Sequence, residues 1–465
     1  MSGLKIAFLH YHARRGGITR VIQQQMDALR DDAQCLFVCG LGADPETGIS
    51  PVIVPGIGYD GVRTVDDPDK IASEVLAAIQ ERWPSGCDIL HVHNPILKKN
   101  HDFLRILNAL AARGQKLFLQ VHDTGEDLRP QSYYTDEEYP QNCHYGVINS
   151  RDYNLFREAG LTEEGLHRIF NVVQPLPAAE SKAERNLVLY AVRAIPRKNL
   201  GEALFLSCFL PKGFQIGLTL PPTSPVDYPP YEEWKSFAKQ EKLALEFELG
   251  LGNSLGDLVG RSRLMLTTSI REGFGFAFLE PWTAGRAVAG RRLEAVAPDF
   301  ASMGVDLSCL YSGIAVPLDL IDAPYLRELW LRTVDNYCKQ YGLPPSSDAP
   351  AAWDRISFSG RIDFAFLDVQ TARKLIASCR SSDDIRSVLV RENPVLKNLL
   401  EPAGDNGLIE RNKAAIKENY SRENYRLALL DIYKKVSSTS VVQKINKDVL
   451  LKSFLRPENF LLSGM

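Results

Sequence analysis

Short apolar runs alternate with helical patterns along this chain, and after one break the alternation begins again. After the first apolar run, apolar residues recur at helical spacing and fall on one face of a predicted helix: Ile18, Val21, Ile22, Met26 and Leu29. The strand-like runs before the break are Ile6–His10, Cys35–Cys39, Ile89–Val92, Leu117–Val121, Tyr145–Ile148 and Arg168–Val173. Strands that alternate with helices pair in parallel and are covered on both faces, so the pattern predicts an α/β domain.

A polar, proline-containing stretch over residues 174–185 interrupts the pattern as a linker would. The strands predicted beyond it are Asn186–Val192, Phe214–Leu220, Leu245–Leu249, Leu264–Thr268 and Ile314–Val316. A chain of 465 residues is longer than one hydrophobic core usually supports. We therefore predict two Rossmann-like domains that face a central cleft, with ligands beyond the carboxyl ends of the strands.

The same breaks predict the domain boundaries. The first domain is expected over residues 1–178 and the second over 179–423, with a C-terminal helix over about 424–465 packing back on the first. Residues 323–405 leave the strand–helix rhythm and contain consecutive prolines, so we interpret them as a mostly helical insertion in the second domain. Such an insertion would cover the cleft or form a subunit contact in a homo-oligomer.

Net charge, apolar runs and cysteine spacing argue against several classes of protein. A net charge of −3 gives no indication of a nucleic-acid or anionic-membrane partner. No apolar run reaches the length of a membrane span, and no signal-peptide pattern precedes the first strand. The eight cysteines form no CxxC pair, so we predict buried thiols in a reducing, cytoplasmic setting and no zinc site.

Two glycines lie near the start of the first predicted domain, and two cations lie near the start of the second. Gly16 and Gly17 follow the first strand and open the first helix, where free backbone N–H groups can bind a phosphate or sugar; the alternative is a tight turn. Arg193 and Lys198 follow the first strand of the second domain and could hold a diphosphate; the alternative is a solvated basic loop. Arg197 makes that loop more basic and leaves the assignment open.

A glutamate motif is the most specific segment of the sequence. It lies at a predicted strand-to-helix junction, where Glu272 could accept hydrogen bonds from two sugar hydroxyls and Glu280, about two turns further on, could bind a ribose diol. The candidate donor-binding residues of the motif are Glu272, Gly273, Phe274, Gly275, Phe276 and Glu280.

Histidines end two strands of the first domain. His122 follows Leu117–Val121 and could donate a hydrogen bond to a sugar hydroxyl, or be a satisfied, partly buried side chain. For His91 and His93 a structural role is favoured. The neighbouring acids Asp123, Glu126 and Asp127 lack a matching ligand set elsewhere, so no metal site is predicted.

The order of these motifs resembles the family-4 retaining glycosyltransferases. The resemblance covers the chain apart from residues 323–405, and each motif alone is modest. It is carried by Gly16-Gly17, Asp88–Asn94, Val121-His122-Asp123, Asn171-Val172-Val173, Arg193 with Lys198, the Glu272-to-Glu280 motif, and Tyr420-Ser421 with the helix Asn424–Val436.

The resemblance implies a GT-B fold with the donor held mainly by the second domain. It makes Glu272 the acid that contacts the sugar and Glu280 the acid that binds the ribose. It makes Arg193 and Lys198 the diphosphate clamp, Gly17 the backbone that meets the diphosphate, and His122 the histidine beside the transferred sugar. Three features depart from the family: Pro281, which must delay or bend the following helix; the basic run Arg291–Glu294; and the insertion.

The function expected from the sequence is retaining transfer of a glucose- or mannose-type hexose from a UDP- or GDP-sugar to a soluble acceptor, a small sugar or sugar acid. No cofactor or metal is expected, and His122, Glu272, Arg193 and Lys198 are the candidate catalytic residues. Two alternatives remain open: a GT-B sugar phosphorylase or nucleotide-sugar epimerase, and a non-catalytic nucleotide-sugar-binding scaffold.

Overall fold

A computed structural model describes residues 3–44, 47–61, 67–180, 185–401 and 406–464. The chain divides into two compact units. The first unit holds the chain up to Val172 together with Tyr420–Leu455, and the second holds Val173–Asn419 together with the residues from Arg456 onward. Residues 181–184 of the predicted linker and 402–405 of the predicted insertion lie outside the described residues.

The first unit is built on a seven-stranded parallel sheet with the order β3-β2-β1-β4-β5-β6-β7. Its central strands are buried on both faces, which explains why they read as continuous apolar runs rather than as alternating ones. The strands are β1 (Leu4–Ala13), β2 (Ala33–Ala43), β3 (Val52–Ile53), β4 (Ile89–His93), β5 (Leu117–Val121), β6 (His144–Val147) and β7 (Leu166–Arg168).

Helices connect most of these strands, because parallel neighbours need crossover connections. They are α1 (Gly17–Ala28), α2 (Pro68–Arg82), α3 (Phe103–Ala112) and α4 (Ser150–Glu158). Local capping starts two of them: the Asp67 carboxylate accepts from the first free N–H groups of α2, and the Asn149 amide oxygen does the same for α4.

The second unit repeats the design with five parallel strands in the order β10-β9-β8-β11-β12. The strands are β8 (Leu187–Arg193), β9 (Gln215–Leu220), β10 (Leu245–Glu246), β11 (Ser262–Thr267) and β12 (Val288–Gly290). The helices of this part are α5 (Leu200–Ser207), α6 (Tyr228–Gln240), α7 (Leu255–Arg261), α8 (Glu280–Thr283) and α9 (Ala297–Ser302).

The predicted strand Ile314–Val316 is wrong as a member of the central sheet. The strand there, β13 (Ala315–Pro317), pairs antiparallel with β14 (Arg361–Asp363) in a separate two-stranded sheet. Its partner lies inside the predicted insertion, which is otherwise helical in its described part: α10 (Ala323–Gln340), α11 (Ala349–Ile356), α12 (Val369–Ser381) and α13 (Asp383–Glu392).

A buried ion network joins this segment to the sheet of the second unit. The Arg291 guanidinium donates to Glu202 Oε2 of α5 at 2.5 Å and to Asp363 Oδ2 of β14 at 2.5 Å. The Tyr311 hydroxyl donates to Glu202 Oε1 at 2.7 Å. Arg291, the first residue of the basic run that departs from the family pattern, therefore forms a buried tether.

The closing segment contains α14 (Asn406–Asn419), α15 (Arg422–Ser438) and α16 (Lys447–Phe454). Helix α15 covers one face of the first unit's sheet, where Tyr425, Leu429 and Tyr433 join a core with Ile22 and Phe118. One helix over 424–465 was expected, but the chain breaks into α15 and α16 and its last described residues, 456–464, belong to the second unit.

Candidate active site

Each sheet has one point at which the strand order reverses, and in the second unit it lies between β8 and β11. Loops that leave the carboxyl ends of strands diverge at such a point, and ligands bind there in open α/β sheets. Arg193 ends β8, Lys198 lies in the 3₁₀ turn Pro196–Lys198 that follows, and Glu272 lies in the loop after β11. The topology therefore brings these three predicted site residues to one edge.

Hydrogen bonds fasten the two loops to each other. The Ile270 backbone N–H donates to the Arg197 carbonyl at 2.9 Å. The Thr268 hydroxyl donates to the Lys198 carbonyl at 2.9 Å, and the Tyr190 hydroxyl donates to the same oxygen. These bonds hold the Lys198 backbone against the end of β11, so the cation is presented by a fixed support.

The Lys198 ammonium donates directly to Glu272 Oε1. Both side chains are largely covered, with exposed fractions of 15% and 10%. Burial by itself would raise the pKa of Glu272, but the charges of Lys198 and Arg197 outweigh it, and the pKa of this carboxyl is lowered. The structure thus joins the predicted diphosphate-binding cation to the predicted sugar-binding acid, with Glu272 held as a carboxylate.

Arg193 completes this edge. Its side chain is partly exposed at the end of β8, and within the described residues no ion pair engages its guanidinium. An arginine fork at this place can bind a phosphate through two parallel hydrogen bonds. The edge therefore offers one unengaged cation beside a cation that is shared with a carboxylate.

The rest of the glutamate motif forms a tight turn. Gly275 has a φ of 92°, a left-handed conformation that glycine adopts without strain, and Phe274 is buried against Phe300. A 3₁₀ turn over Phe276–Phe278 follows. Glu280, expected about two turns beyond Glu272, is the first residue of α8, a helix of four residues with Pro281 near its start. The proline accounts for the late start, because it has no N–H to donate within a helix.

Sequence reasoning missed the C-terminal residues beside these loops. The Arg271 guanidinium donates to the Asn459 carbonyl at 3.1 Å. A side-chain carbon placed on Gly464 would lie 2.3 Å from Ile270 Cδ1 and 3.8 Å from Arg197 Cα. Residues 456–464 therefore pack against both loops that carry Lys198 and Glu272, and no motif in their sequence indicated it.

The other predicted residues, Gly16, Gly17 and His122, lie in the first unit. Gly16 precedes α1 with an extended backbone at φ −179°, which any residue adopts. A side chain added at Gly17 would meet nothing within 4 Å. A tight turn therefore does not require these glycines, and the space they leave lies at the N-terminus of a twelve-residue helix.

His122 follows β5 and is held by its neighbours. Its backbone N–H donates to Asn94 Oδ1 at 2.9 Å, and its Nε2 lies 2.9 Å from His93 Nδ1. Burial lowers the pKa of His122 to about 4 and lowers that of His93 well below its ordinary value, so both rings are neutral near pH 7.

The hydrogen bonds also select a tautomer. His93 Nε2 is buried and has no hydrogen-bond partner among the described residues. A proton on that nitrogen would be an unsatisfied buried donor, so we infer that His93 carries its proton on Nδ1 and donates it to His122 Nε2. His122 then carries its own proton on Nδ1, as a neutral hydrogen-bond donor.

The acids that follow His122 each have a separate partner. Asp123 pairs with Arg129 at 2.8 Å, and the Tyr139 hydroxyl donates to Glu126 at 2.7 Å. Burial raises the pKa of Glu126 to about 7. Across the described ranges, no group of His, Cys, Asp and Glu has the arrangement of a metal site, and no helix is both long and apolar enough to cross a membrane.

No protein-family model matches the chain, and no curated protein matches it in sequence. In structure it is similar to sucrose-phosphate synthase from Thermosynechococcus elongatus, with a TM-score of 0.55 and 13% identity over 93% of this chain and 98% of that one. It is also similar to a glycosyltransferase from Rickettsia africae ESF-5, with a TM-score of 0.53 and 12% identity over 95% of this chain and 100% of that one. Identities this low establish the fold: the chain has the GT-B fold of these enzymes, and that prediction is confirmed.

Proposed function

We propose that this protein is a retaining glycosyltransferase. It transfers a glucose- or mannose-type hexose from a UDP- or GDP-sugar to a soluble carbohydrate acceptor. The observation that carries the proposal is the covered Lys198–Glu272 pair, which lies beside Arg193 at the strand-order reversal of the second unit. A nucleotide sugar needs cations for its diphosphate and a carboxylate for its hexose hydroxyls, and this edge offers both.

In the proposed reaction the bond between the anomeric carbon and the diphosphate oxygen breaks while the acceptor oxygen bonds to the same face of that carbon. The acceptor proton passes to the leaving diphosphate oxygen. Negative charge grows on the diphosphate as the bond breaks, so Arg193 and Lys198 stabilise the transition state more than the ground state. His122, as a neutral Nδ1–H donor, binds a sugar hydroxyl, and the N–H groups around Gly17 bind an anion.

The proposal is tested by the products. Incubation with UDP-glucose or GDP-mannose and a panel of small sugars and sugar acids should release nucleoside diphosphate only when an acceptor is present. NMR of the fresh product should show an α linkage from an α-linked donor. A β-linked product would contradict retention. Formation of sugar 1-phosphate from a glycoside and added inorganic phosphate would favour the phosphorylase. An epimerised donor would favour the epimerase, and a tightly bound donor that gives no product would favour the scaffold.

Metal removal gives an independent expectation. If the leaving diphosphate is neutralised by Arg193 and Lys198, transfer should continue after dialysis against EDTA, because no divalent ion is needed for that charge. The measurement is initial rate with and without the chelator, with magnesium and manganese added back. Complete loss with EDTA, restored by either ion, would overturn this assignment of the two cations.

Separate roles for the two glutamates predict opposite binding phenotypes. Glu272→Gln keeps the size of the side chain but removes the charged acceptor for hexose hydroxyls, so turnover should fall strongly while affinity for the free nucleoside diphosphate stays nearly unchanged. Glu280→Gln should weaken nucleoside diphosphate binding, because a hydrogen bond to a charged group contributes about 1.5–3 kcal/mol. Calorimetric titration of both variants with UDP and GDP measures the difference. Loss of nucleotide binding in Glu272→Gln alone would mean that the roles are exchanged.

A further inference from the structure

A group of polar side chains lies at the strand-order reversal of the first unit, between β1 and β4. Arg14 follows β1 directly, Tyr59 lies beyond β3, and Lys99 lies in the loop after β4. All three loops leave the carboxyl edge of the sheet, where diverging connections leave room for a ligand. The position corresponds, within this unit, to that of Lys198 and Glu272 in the other.

Contacts connect the three segments that carry these side chains. The Arg14 backbone N–H donates to His12 Nδ1 at 3.2 Å, and the rings of His12 and Tyr59 meet edge to face at 5.4 Å. The next residue after Tyr59, Asp60, donates its N–H to the Lys99 carbonyl at 3.0 Å. The charge of Arg14 reaches the Tyr59 phenol, whose pKa is raised by burial and pulled back by that charge.

These three groups have unused hydrogen-bonding capacity. Over the residues that the structure describes, no ion pair or hydrogen bond engages the Arg14 guanidinium, the Tyr59 hydroxyl or the Lys99 ammonium. Arg14 is exposed, and Tyr59 and Lys99 are half-buried. Half-buried cations normally have an anionic partner, because losing water disfavours the charge.

The neighbouring charges do not supply that partner. Burial and the nearby Arg129 cation lower the pKa of Lys99, and Asp123 offsets this only in part. Asp123 already pairs with Arg129 at 2.8 Å, and Asp60 accepts from His101 Nδ1 at 2.9 Å. The edge therefore brings Lys99 close to a second cation, while the nearest acids are engaged.

We propose that Arg14, Tyr59 and Lys99 bind an anionic group of the acceptor, a carboxylate or a phosphate. The Arg14 guanidinium can bind two oxygens of either group, the Tyr59 phenol can donate a further hydrogen bond to the anion, and Lys99 adds a positive charge. Asp123, which directly follows His122, pairs with the Arg129 that adjoins Lys99, so the anion site lies near the candidate catalytic histidine of the same unit. This inference rests on the proposed function and narrows its acceptor to sugar acids and sugar phosphates.

The test measures anion binding without turnover. The intact protein and its Arg14→Gln and Lys99→Gln variants are titrated calorimetrically with inorganic phosphate and with acetate, and separately with UDP and GDP. Each substitution removes one charge-assisted contact, so phosphate affinity should fall at least about tenfold. Lys98→Gln is the matched control: the Lys98 ammonium lies 5.6 Å from the centre of the Tyr134 ring, and this variant should keep the affinity of the parent.

The phosphate and acetate titrations distinguish a phosphorylated acceptor from a carboxylate acceptor. The UDP and GDP titrations distinguish an acceptor site from a donor site. Binding of phosphate but not acetate assigns a phosphorylated acceptor, and binding of both leaves the anionic class intact. If Lys99→Gln weakens UDP or GDP binding as much as phosphate binding, the cluster serves the donor and the inference is overturned. Equal phosphate binding by parent and variants, or none in any of them, overturns it too. The proposed function is tested separately, by UDP and GDP binding to the parent protein and to variants of Arg193, and failure of the anion site leaves that test unaffected.

Discussion

Lys198→Ala should lower the turnover of the proposed transfer reaction by about 10²–10³, the loss usual when one preorganised contact to developing charge is removed. The Lys198 backbone is held at the end of β11 by a hydrogen bond from the Thr268 hydroxyl, and a cation on such a fixed support can stabilise a leaving diphosphate without reorganisation. Removing it also leaves Glu272 buried without its nearest cation, so the pKa of that carboxyl should rise. The acid limb of the pH–rate profile should therefore move to higher pH.

Two further variants identify the cause of the loss. Lys239→Ala removes an exposed lysine of α6 in the same unit and should leave turnover unchanged. Lys198→Ala combined with Glu272→Gln removes the unpaired carboxylate together with its cation. If Lys198 acts only by neutralising Glu272, the double variant should bind nucleoside diphosphate as tightly as Glu272→Gln alone. If Lys198 binds the diphosphate, the double variant should bind it more weakly than Glu272→Gln does. Turnover of Lys198→Ala within a few fold of the parent would contradict both roles.

Arg291→Met should lower the free energy of unfolding of the second unit by about 3–5 kcal/mol, the cost of leaving a buried charge without its partner. Arg291 and Glu202 have exposed fractions of 4% and 0%, so water cannot replace the lost contact. Unfolding by urea, followed by circular dichroism, measures the change.

The adjacent residue supplies the control. Arg292 is 40% exposed and pairs with Glu294, so Arg292→Met should cost no more than about 1 kcal/mol. Adding Glu202→Gln to Arg291→Met removes the stranded carboxylate and should recover part of the stability. Equal losses in Arg291→Met and Arg292→Met would show that the buried network does not tether β14 to the sheet.

The sequence predicted those strands well whose burial is continuous. Strand β8 was expected over Asn186–Val192 and spans Leu187–Arg193, because an apolar run buried on both faces has few alternative structures. Strand β3, only Val52–Ile53, was missed, since two residues carry no periodicity. Strand β13 was assigned to the wrong sheet. Its partner β14 is held through Asp363, which bonds to the distant Arg291, and a contact over such a separation has no local sequence pattern.

The site was predictable as a set of residue types but not as a geometry. Spacing within the glutamate motif and the Arg193–Lys198 pair indicated the residues, because the ligand chemistry needs them at strand ends. The direct bond between Lys198 and Glu272 joins loops that are distant in sequence and follows from the order of the strands. The packing of Asn459 and Gly464 against these loops could not be predicted from the sequence. Asn459 acts through its backbone carbonyl and Gly464 through its lack of a side chain, and neither produces a sequence motif. Roles for all these residues remain predictions.

The order in which the ribosome makes this chain has a consequence for how it folds. The face of the first unit's sheet that includes Phe118 and Ile22 is covered by Tyr425, Leu429 and Tyr433 of α15. That helix emerges only after nearly all of the second unit has been synthesised. During translation, the early segment therefore has to hold an exposed apolar face until a distant stretch arrives, a state that favours binding by chaperones. A nascent chain stalled before α15 should be trapped by them, whereas one released after α16 should escape.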